Sequence, residues 1–230
     1  MQSANRADRF TTLMLSGFSF LASYTFSKAM LNQNAPVTGG NNAFETSLAD
    51  YDIPQNFAFN ASYELPFGKG RHFLSSSRGL LNALAGGWQT QGIAGRRSGL
   101  PFTPTISTDP ANVGLSNERP NRRGSGGLSN PTPDLWFDKT AFTAPAAFTY
   151  GNSGRYILQA GPLRFLDMSV FKEFSPTEKS RLQFRLEAFN LTNTASFNPP
   201  GTAIDTASGG KVTSSSNNPR QLQVALKYLF

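Results

Sequence analysis

Residues 220–230 read RQLQVALKYLF and end the sequence on an aromatic side chain. Apolar residues occupy every second position, and mostly polar residues lie between them. A period of two places alternate side chains on opposite faces of a β-strand. A run of about eleven residues is the length that a tilted strand needs to cross a bilayer core. The stretch predicts a membrane-spanning strand, although strands with a period of two also occur in soluble β-sandwiches.

The same alternation predicts strands over residues 17–28, 55–65, 88–97, 163–174 and 179–191, with a weaker candidate at residues 10–15. Residues 100–106 are a candidate extension of the third of these strands, and residues 80–85 a candidate helical turn. Arg185 and Glu187 lie on the polar side of their strand, which suits a water-facing side of the sheet or a ladder of opposite charges. The expected fold is all-β: an antiparallel meander of six to seven transmembrane strands, each pairing with its sequence neighbour.

The connections between these strands alternate in length. Those over residues 29–54, 107–161 and 192–219 are long, and those over residues 66–87 and 175–178 are shorter. Outer-membrane barrels have short periplasmic turns and long extracellular loops. With Phe230 on the periplasmic side, every long connection falls outside, and Tyr63, Trp88 and Tyr228 form an inner aromatic girdle. A long irregular stretch such as residues 107–161 is unusual in a compact soluble domain.

Composition limits the chemistry that this chain can perform. The 230 residues include one histidine and no cysteine, so disulfides and thiol nucleophiles are excluded and no metal or other cofactor is expected. His72 lies in an expected short turn without an evident serine and acid partner, which argues against an enzyme. Asp50 and Asp52 could ligate calcium, but solvated acids at a loop edge are the favoured interpretation.

The net charge of +7 has two interpretations. One is a solvated basic surface, and the other is attraction to anionic lipid headgroups or to an anionic solute. Nucleic acid is not an expected partner, because no basic helix or zinc motif is present. The N-terminal residues lack the features of a signal peptide, so we expect that the chain lacks its true beginning.

Several segments resemble the C-terminal part of TonB-dependent receptors, in particular the Oar-like branch whose members begin with a carboxypeptidase-regulatory-like domain. They are FLASYTFSK (20–28), YELPFGKG (63–70), GGWQ (86–89), SGLPFT (98–103), FKEF (171–174), FRLEAFNL (184–191) and PRQLQ (219–223). The resemblance implies a barrel of about 22 strands in the outer membrane, an internal plug and energy from the TonB complex. On this view residues 1–230 are a partial barrel domain, the C-terminal wall, without plug or N-terminal strands.

The resemblance also implies the partners. They are outer-membrane lipid, the barrel-assembly machinery, for which Tyr228 and Phe230 would form the signal, and the TonB complex through the missing N-terminal part. The leading functional hypothesis is energised uptake of a bulky solute across the bacterial outer membrane. A passive porin-like channel and a soluble ligand-binding β-sandwich are the alternatives.

The strand parity predicts which side chains face lipid. They are Phe18, Phe20, Phe57, Phe59, Leu182, Phe184, Leu222 and Leu226. In the assembled receptor, Leu226→Arg should cost roughly 2–4 kcal/mol, because it places a charge at mid-membrane depth. Gln223→Arg, on the opposite face, is the matched control. Heat-modifiable gel migration of outer-membrane fractions measures assembly, and damage by the control alone would mean that the two faces are inverted.

Overall fold

The computed structural model describes residues 3–15, 17–32, 46–178 and 180–230. Short helices are present, namely α1 (Gly79–Ala85) and a 3-10 helix (Lys139–Ala141). None of the helices in the described part is long and apolar enough to cross a membrane. The remaining elements are the strands β1 (Ser3–Leu15), β2 (Phe18–Asn32), β3 (Thr46–Leu48), β4 (Gln55–Glu64), β5 (Trp88–Arg97), β6 (Pro101–Phe102), β7 (Asn121–Arg122), β8 (Phe142–Thr143), β9 (Leu158–Gln159), β10 (Leu163–Thr177), β11 (Ser180–Phe189) and β12 (Gln221–Leu229).

The main sheet follows the chain. Its order is β1-β2-β4-β5-β10-β11-β12, with the short β3 added to β2, and every pair is antiparallel. The antiparallel meander predicted from the sequence is therefore confirmed. The strand expected only at residues 10–15 is much longer, because β1 pairs with β2 from Ser3↔Met30 to Leu15↔Phe18. β1, and not the strand that begins near Gly17, therefore forms one edge of the sheet.

Several strand boundaries differ from those expected, and β2 continues to Asn32 instead of ending at residue 28. β10 continues to Thr177 through the expected turn, and β11 ends at Phe189. The predicted extension of the third strand over residues 100–106 is wrong. β5 stops at Arg97. The following strand β6 leaves the main sheet and pairs with β9. The chain leaves the sheet at Gly99, where a Cβ atom would lie 2.0 Å from the carbonyl oxygen of Ala160, and Pro101 then lacks the N–H that a central strand needs.

Cross-strand registers show which side chains share a face, because directly opposed residues point to the same side. From β2 to β12, one row is polar: Ser19, Ser62, Gln91, Ser169, Glu187 and Gln223. The adjacent row is apolar: Phe20, Ala61, Gly92, Met168, Ala188 and Leu222. We call the sides of the sheet that carry these rows the polar face and the apolar face. All eight residues predicted to face lipid lie on the apolar face.

The buried core does not lie on the sheet. It comprises Phe102, Phe137, Ala141, Phe142, Leu158 and Ala160, all from the connection between β5 and β10. The apolar face stays open, and Leu222 and Leu226 are 69% and 67% exposed. A soluble sandwich buries this face under a second sheet. In the described part of the chain the large sheet is a single layer, so its apolar face requires another apolar medium.

The ends of the sheet order, β1 and β12, do not pair with each other, so the sheet is open. In lipid each unpaired backbone N–H or C=O group costs several kcal/mol. We therefore expect that the 230-residue chain, refolded alone in detergent, does not form a closed monomeric barrel. The measurement is gel migration with and without heating, together with protease resistance. A heat-modifiable, protease-resistant monomer would contradict this expectation.

Candidate solute-binding site in the long connections

The connections divide between the two ends of the sheet. The segment between β4 and β5 and the β10–β11 turn lie at one end, which we call the short-turn end. The connections of residues 98–162 and 190–220 lie at the other end, the long-loop end. The registers place Tyr63, Trp88 and Tyr228 at the short-turn end, as predicted for an aromatic girdle.

Residues 98–162 and 190–220 fold together into one body, which we call the loop unit. The Asp205 carboxylate accepts hydrogen bonds from the Ser107 amide at 2.9 Å and from the Ser107 hydroxyl at 2.7 Å. We call these two hydrogen bonds the clamp at Asp205. Two backbone hydrogen bonds also join the long connections: Trp136 N–H donates to the Gly210 carbonyl (2.7 Å), and Thr105 N–H donates to the Thr202 carbonyl (2.9 Å). The stretch expected to be only an irregular loop therefore has a packed apolar core and specific hydrogen bonds.

Polar side chains attach the loop unit to the sheet. Asn190, just after β11, has a φ of 48°, a left-handed conformation that asparagine tolerates. Its N–H donates to Asp167 of β10 at 2.8 Å, and its side-chain amide donates to the Asn218 carbonyl at 2.9 Å. The Ser196 hydroxyl accepts the Arg164 N–H at 3.0 Å. These bonds fix where the loop unit sits above the strand ends.

The loop unit and the start of β10 line a partly open cavity of about 600 Å³. Its lining combines aliphatic side chains such as Ile157 and Leu158 with aromatic and polar ones. The aromatic and polar members used below are Phe102, Trp136, Phe197, Arg122, Arg164 and Gln159. The Trp136 ring meets Phe197 edge to face at 6.0 Å and donates its indole N–H to the Gln159 carbonyl at 3.1 Å. Its position is therefore fixed. Aromatic walls with a few placed polar groups are typical of ligand sites.

Arginines make the rim of this cavity positive. Arg122 donates its Nε–H to the Gly124 carbonyl at 2.7 Å, which orients its guanidinium. Arg164 lies directly opposite Arg96 in the β5–β10 register, and both side chains are exposed. Like charges in directly opposed positions repel each other. Arg122 and Arg164 line the cavity, and none of its described lining residues is Asp or Glu, so the lining favours negatively charged ligands.

Glu118 and Asp109 of the loop unit are neighbouring acids with shifted pKa values. Glu118 is 1% exposed. Burial raises the pKa of the Glu118 carboxyl, and the neighbouring Asp109 side chain raises it further. The Val113 N–H lowers the pKa of Asp109, and the Gly114 N–H, which donates at 2.7 Å, adds to this effect. Among the described residues, no group of three or more His, Cys, Asp or Glu side chains is placed to hold a metal ion.

The two acids considered for calcium have separate environments. Asp50 is exposed, as expected for a solvated acid. Asp52 is only 2% exposed and accepts the Ala29 N–H at 2.7 Å, so the interpretation of Asp52 as a solvated loop acid is wrong. Its carboxylate satisfies a backbone donor of β2 near the point where β3 adds to that strand.

His72, the only histidine of the sequence, lies at the short-turn end, away from the cavity. Its ring packs edge to face on Phe73 at 4.6 Å. Tyr228 and Phe230, predicted as the assembly signal, stack at 6.0 Å at the end of β12. The sequence analysis did not single out Arg122, Arg164, Trp136 or Phe197 as residues of a binding site. Aromatic residues inside a Pro- and Gly-rich stretch were the available signal for the last two.

A single-layer antiparallel sheet with one apolar face, one polar face and long connections at one end defines a membrane β-barrel protein. The model of one protein family, described as Outer membrane beta barrel domain, matches residues 9–223. The chain belongs to this family, and it is located in the bacterial outer membrane. No curated protein and no solved structure matches it.

The clamp at Asp205 predicts a pH effect on the loop unit. Burial acts to raise the pKa of Asp205, but the hydrogen bonds from Ser107 outweigh it and leave this pKa below its ordinary value. The clamp therefore contributes stability above the ordinary pKa of aspartate, and this contribution is lost as pH falls through the lowered pKa. Asp205→Asn should remove roughly 1 kcal/mol at neutral pH.

Limited proteolysis of the loop unit in native outer membranes measures this effect. The variant should be cleaved faster than wild type at neutral pH, and the difference should shrink as pH falls. Asp134→Asn, an exposed acid of the same unit, is the control. Equal cleavage of the Asp205 variant and wild type at neutral pH would contradict a stabilising clamp.

Proposed function

We propose that this chain is the C-terminal barrel segment of a TonB-dependent outer-membrane transporter that moves a bulky solute inward. The observation that carries the proposal is the cavity of about 600 Å³ in the loop unit, above an open wall of seven long strands. Such a wall suits a barrel too large to close from these strands alone. The sequence resemblance to Oar-like receptors supports the energised mechanism.

The proposed partners follow from the two faces and the two ends. The apolar face, including Phe20, Phe59, Phe184 and Leu226, lies against lipid. The polar face lines the lumen and meets the plug that the rest of the protein supplies. The TonB complex acts through that missing part. The aromatic end at Tyr228 and Phe230 is the assembly signal, and the Phe230 side chain is almost fully exposed.

The cavity chemistry narrows the class of solute. Trp136, Phe197 and Phe102 offer surfaces to a flat or apolar group, while Arg122 and Arg164 offer guanidinium groups. Guanidinium groups bind carboxylate and phosphate oxygens with two parallel hydrogen bonds. An anionic solute with an aromatic or other flat part fits both features. We propose binding and passage here, not catalysis, because the chain's one histidine lies outside the cavity and it has no cysteine.

A conductance measurement distinguishes the energised-receptor hypothesis from the passive-porin hypothesis. The full-length product of the gene should give no steady ion conductance in a planar bilayer until urea loosens the plug, because the lumen is filled. A steady open conductance without urea would support the porin and overturn the proposal of energised transport.

Binding calorimetry tests the cavity. An aromatic carboxylate should bind the full-length protein in detergent, and its neutral amide should bind at least about tenfold more weakly, the equivalent of 1.4 kcal/mol. Arg164→Gln should remove this preference. Arg181→Gln, whose residue opposes Leu229 at the short-turn end, should retain it. Equal binding of acid and amide by the wild-type protein would contradict an anion-selecting site.

A further inference from the structure

The connection between β4 and β5 exposes more apolar surface than a water-facing turn needs. Its helix α1 carries Leu80, Leu81 and Leu84, which are 75%, 56% and 60% exposed. Positions i, i+1 and i+4 lie along one side of a helix, so these leucines form one stripe. We call residues 65–87 the turn segment and these three leucines the leucine stripe.

The open edges of the sheet do not explain this exposure. β4 pairs with β2 and β5, and β5 pairs with β4 and β10. The turn segment therefore joins two strands in the interior of the sheet. Any strand added to close the sheet would pair with β1 or β12 at the far edges and would not reach the turn segment. The leucine stripe would remain exposed in a closed barrel.

Hydrogen bonds hold α1 against the apolar face. Lys172 lies on that face, directly opposite both Trp88 and Phe184. Its ammonium group donates to the backbone carbonyls of Ala83 and Gly86 at the end of α1, and it lies 4.9 Å from the Phe174 ring centroid. The Trp88 indole N–H donates to the Leu84 carbonyl at 2.8 Å. The buried Lys172 thus gives the helix end a fixed place on an otherwise apolar surface.

Charge complements this placement. The turn segment contains Lys69, Arg71 and Arg78 and no Asp or Glu. Arg71 is paired with Glu64 at 2.8 Å, while Lys69 and Arg78 are exposed. A short amphipathic element with apolar side chains on one side and basic residues beside them matches the boundary between acyl chains and anionic headgroups.

We propose that α1 is an interfacial anchor. The leucine stripe enters the phospholipid leaflet at the short-turn end, the periplasmic leaflet of the outer membrane, and Lys69 and Arg78 contact headgroup phosphates. The occupant is phospholipid, because the anchor continues the apolar face that meets lipid. This inference rests on the proposed assignment of that face to lipid. The helix fixes the depth at which the barrel sits in the membrane, because the end of α1 is attached to β10 through Lys172.

Nitroxide accessibility tests the anchor in the full-length protein reconstituted in phosphatidylethanolamine–phosphatidylglycerol vesicles. The chain has no cysteine of its own, so Leu81→Cys introduces a labelling site in this part of the protein. The nitroxide at position 81 should collide with dissolved oxygen, which concentrates in acyl chains, several-fold more than with a water-soluble nickel chelate. Leu135→Cys, an exposed leucine of the loop unit, is the matched control and should favour the nickel chelate.

A third label, at Phe59→Cys on the apolar face, distinguishes failure of the anchor proposal from failure of the assignment of the apolar face to lipid. If position 59 favours oxygen while position 81 favours the nickel chelate, the anchor is wrong and the lipid-facing sheet stands. If both positions favour the nickel chelate, the assignment of the apolar face to lipid fails as well. Shielding of position 81 from both reagents would mean that protein covers the leucine stripe, and this also overturns the anchor.

Discussion

Every backbone N–H and C=O group that enters a hydrocarbon layer needs a hydrogen-bond partner on a neighbouring strand. This constraint explains why the long strands pair along their lengths and why the connections lie at the strand ends. It also separates the molecule into two parts. The apolar side chains of the sheet stay exposed, and the packed apolar core lies in the loop unit.

The sequence alone predicts which segments form strands and which face of the sheet each side chain occupies, because both depend on local alternation. The run that ends at Phe230 and the segment around Phe20 carry the period of two within themselves. β1 was underestimated because Asn5, Arg6 and Asp8 interrupt the apolar pattern. Its pairing with β2 outweighs that weak local preference, as cross-strand context often does. Thr25 of β2 even donates a hydrogen bond to Asp8 at 2.7 Å.

The candidate site depends on contacts that no local pattern contains. Ser107 and Asp205 are 98 positions apart, and the residues that frame the cavity come from both long connections. Asp52 looked like a solvated acid because its partner, the amide of Ala29, lies 23 positions away. Asn, Ser and Thr side chains bond to backbone groups throughout these connections. This gives order to segments that have neither helical nor strand periodicity.

The core of the loop unit has a thermodynamic consequence for recognition. Phe137 and Phe142 are almost fully buried, and Asp205, Asn190 and Ser196 tie the chain together around the cavity. A receptor surface that is ordered before its ligand arrives loses little conformational entropy on association. Capture should therefore have only the small heat-capacity change that corresponds to the ligand's own buried apolar area, without the larger contribution of a loop that folds on binding. On the proposed function, selectivity comes from the shape and charge that these contacts fix around the cavity.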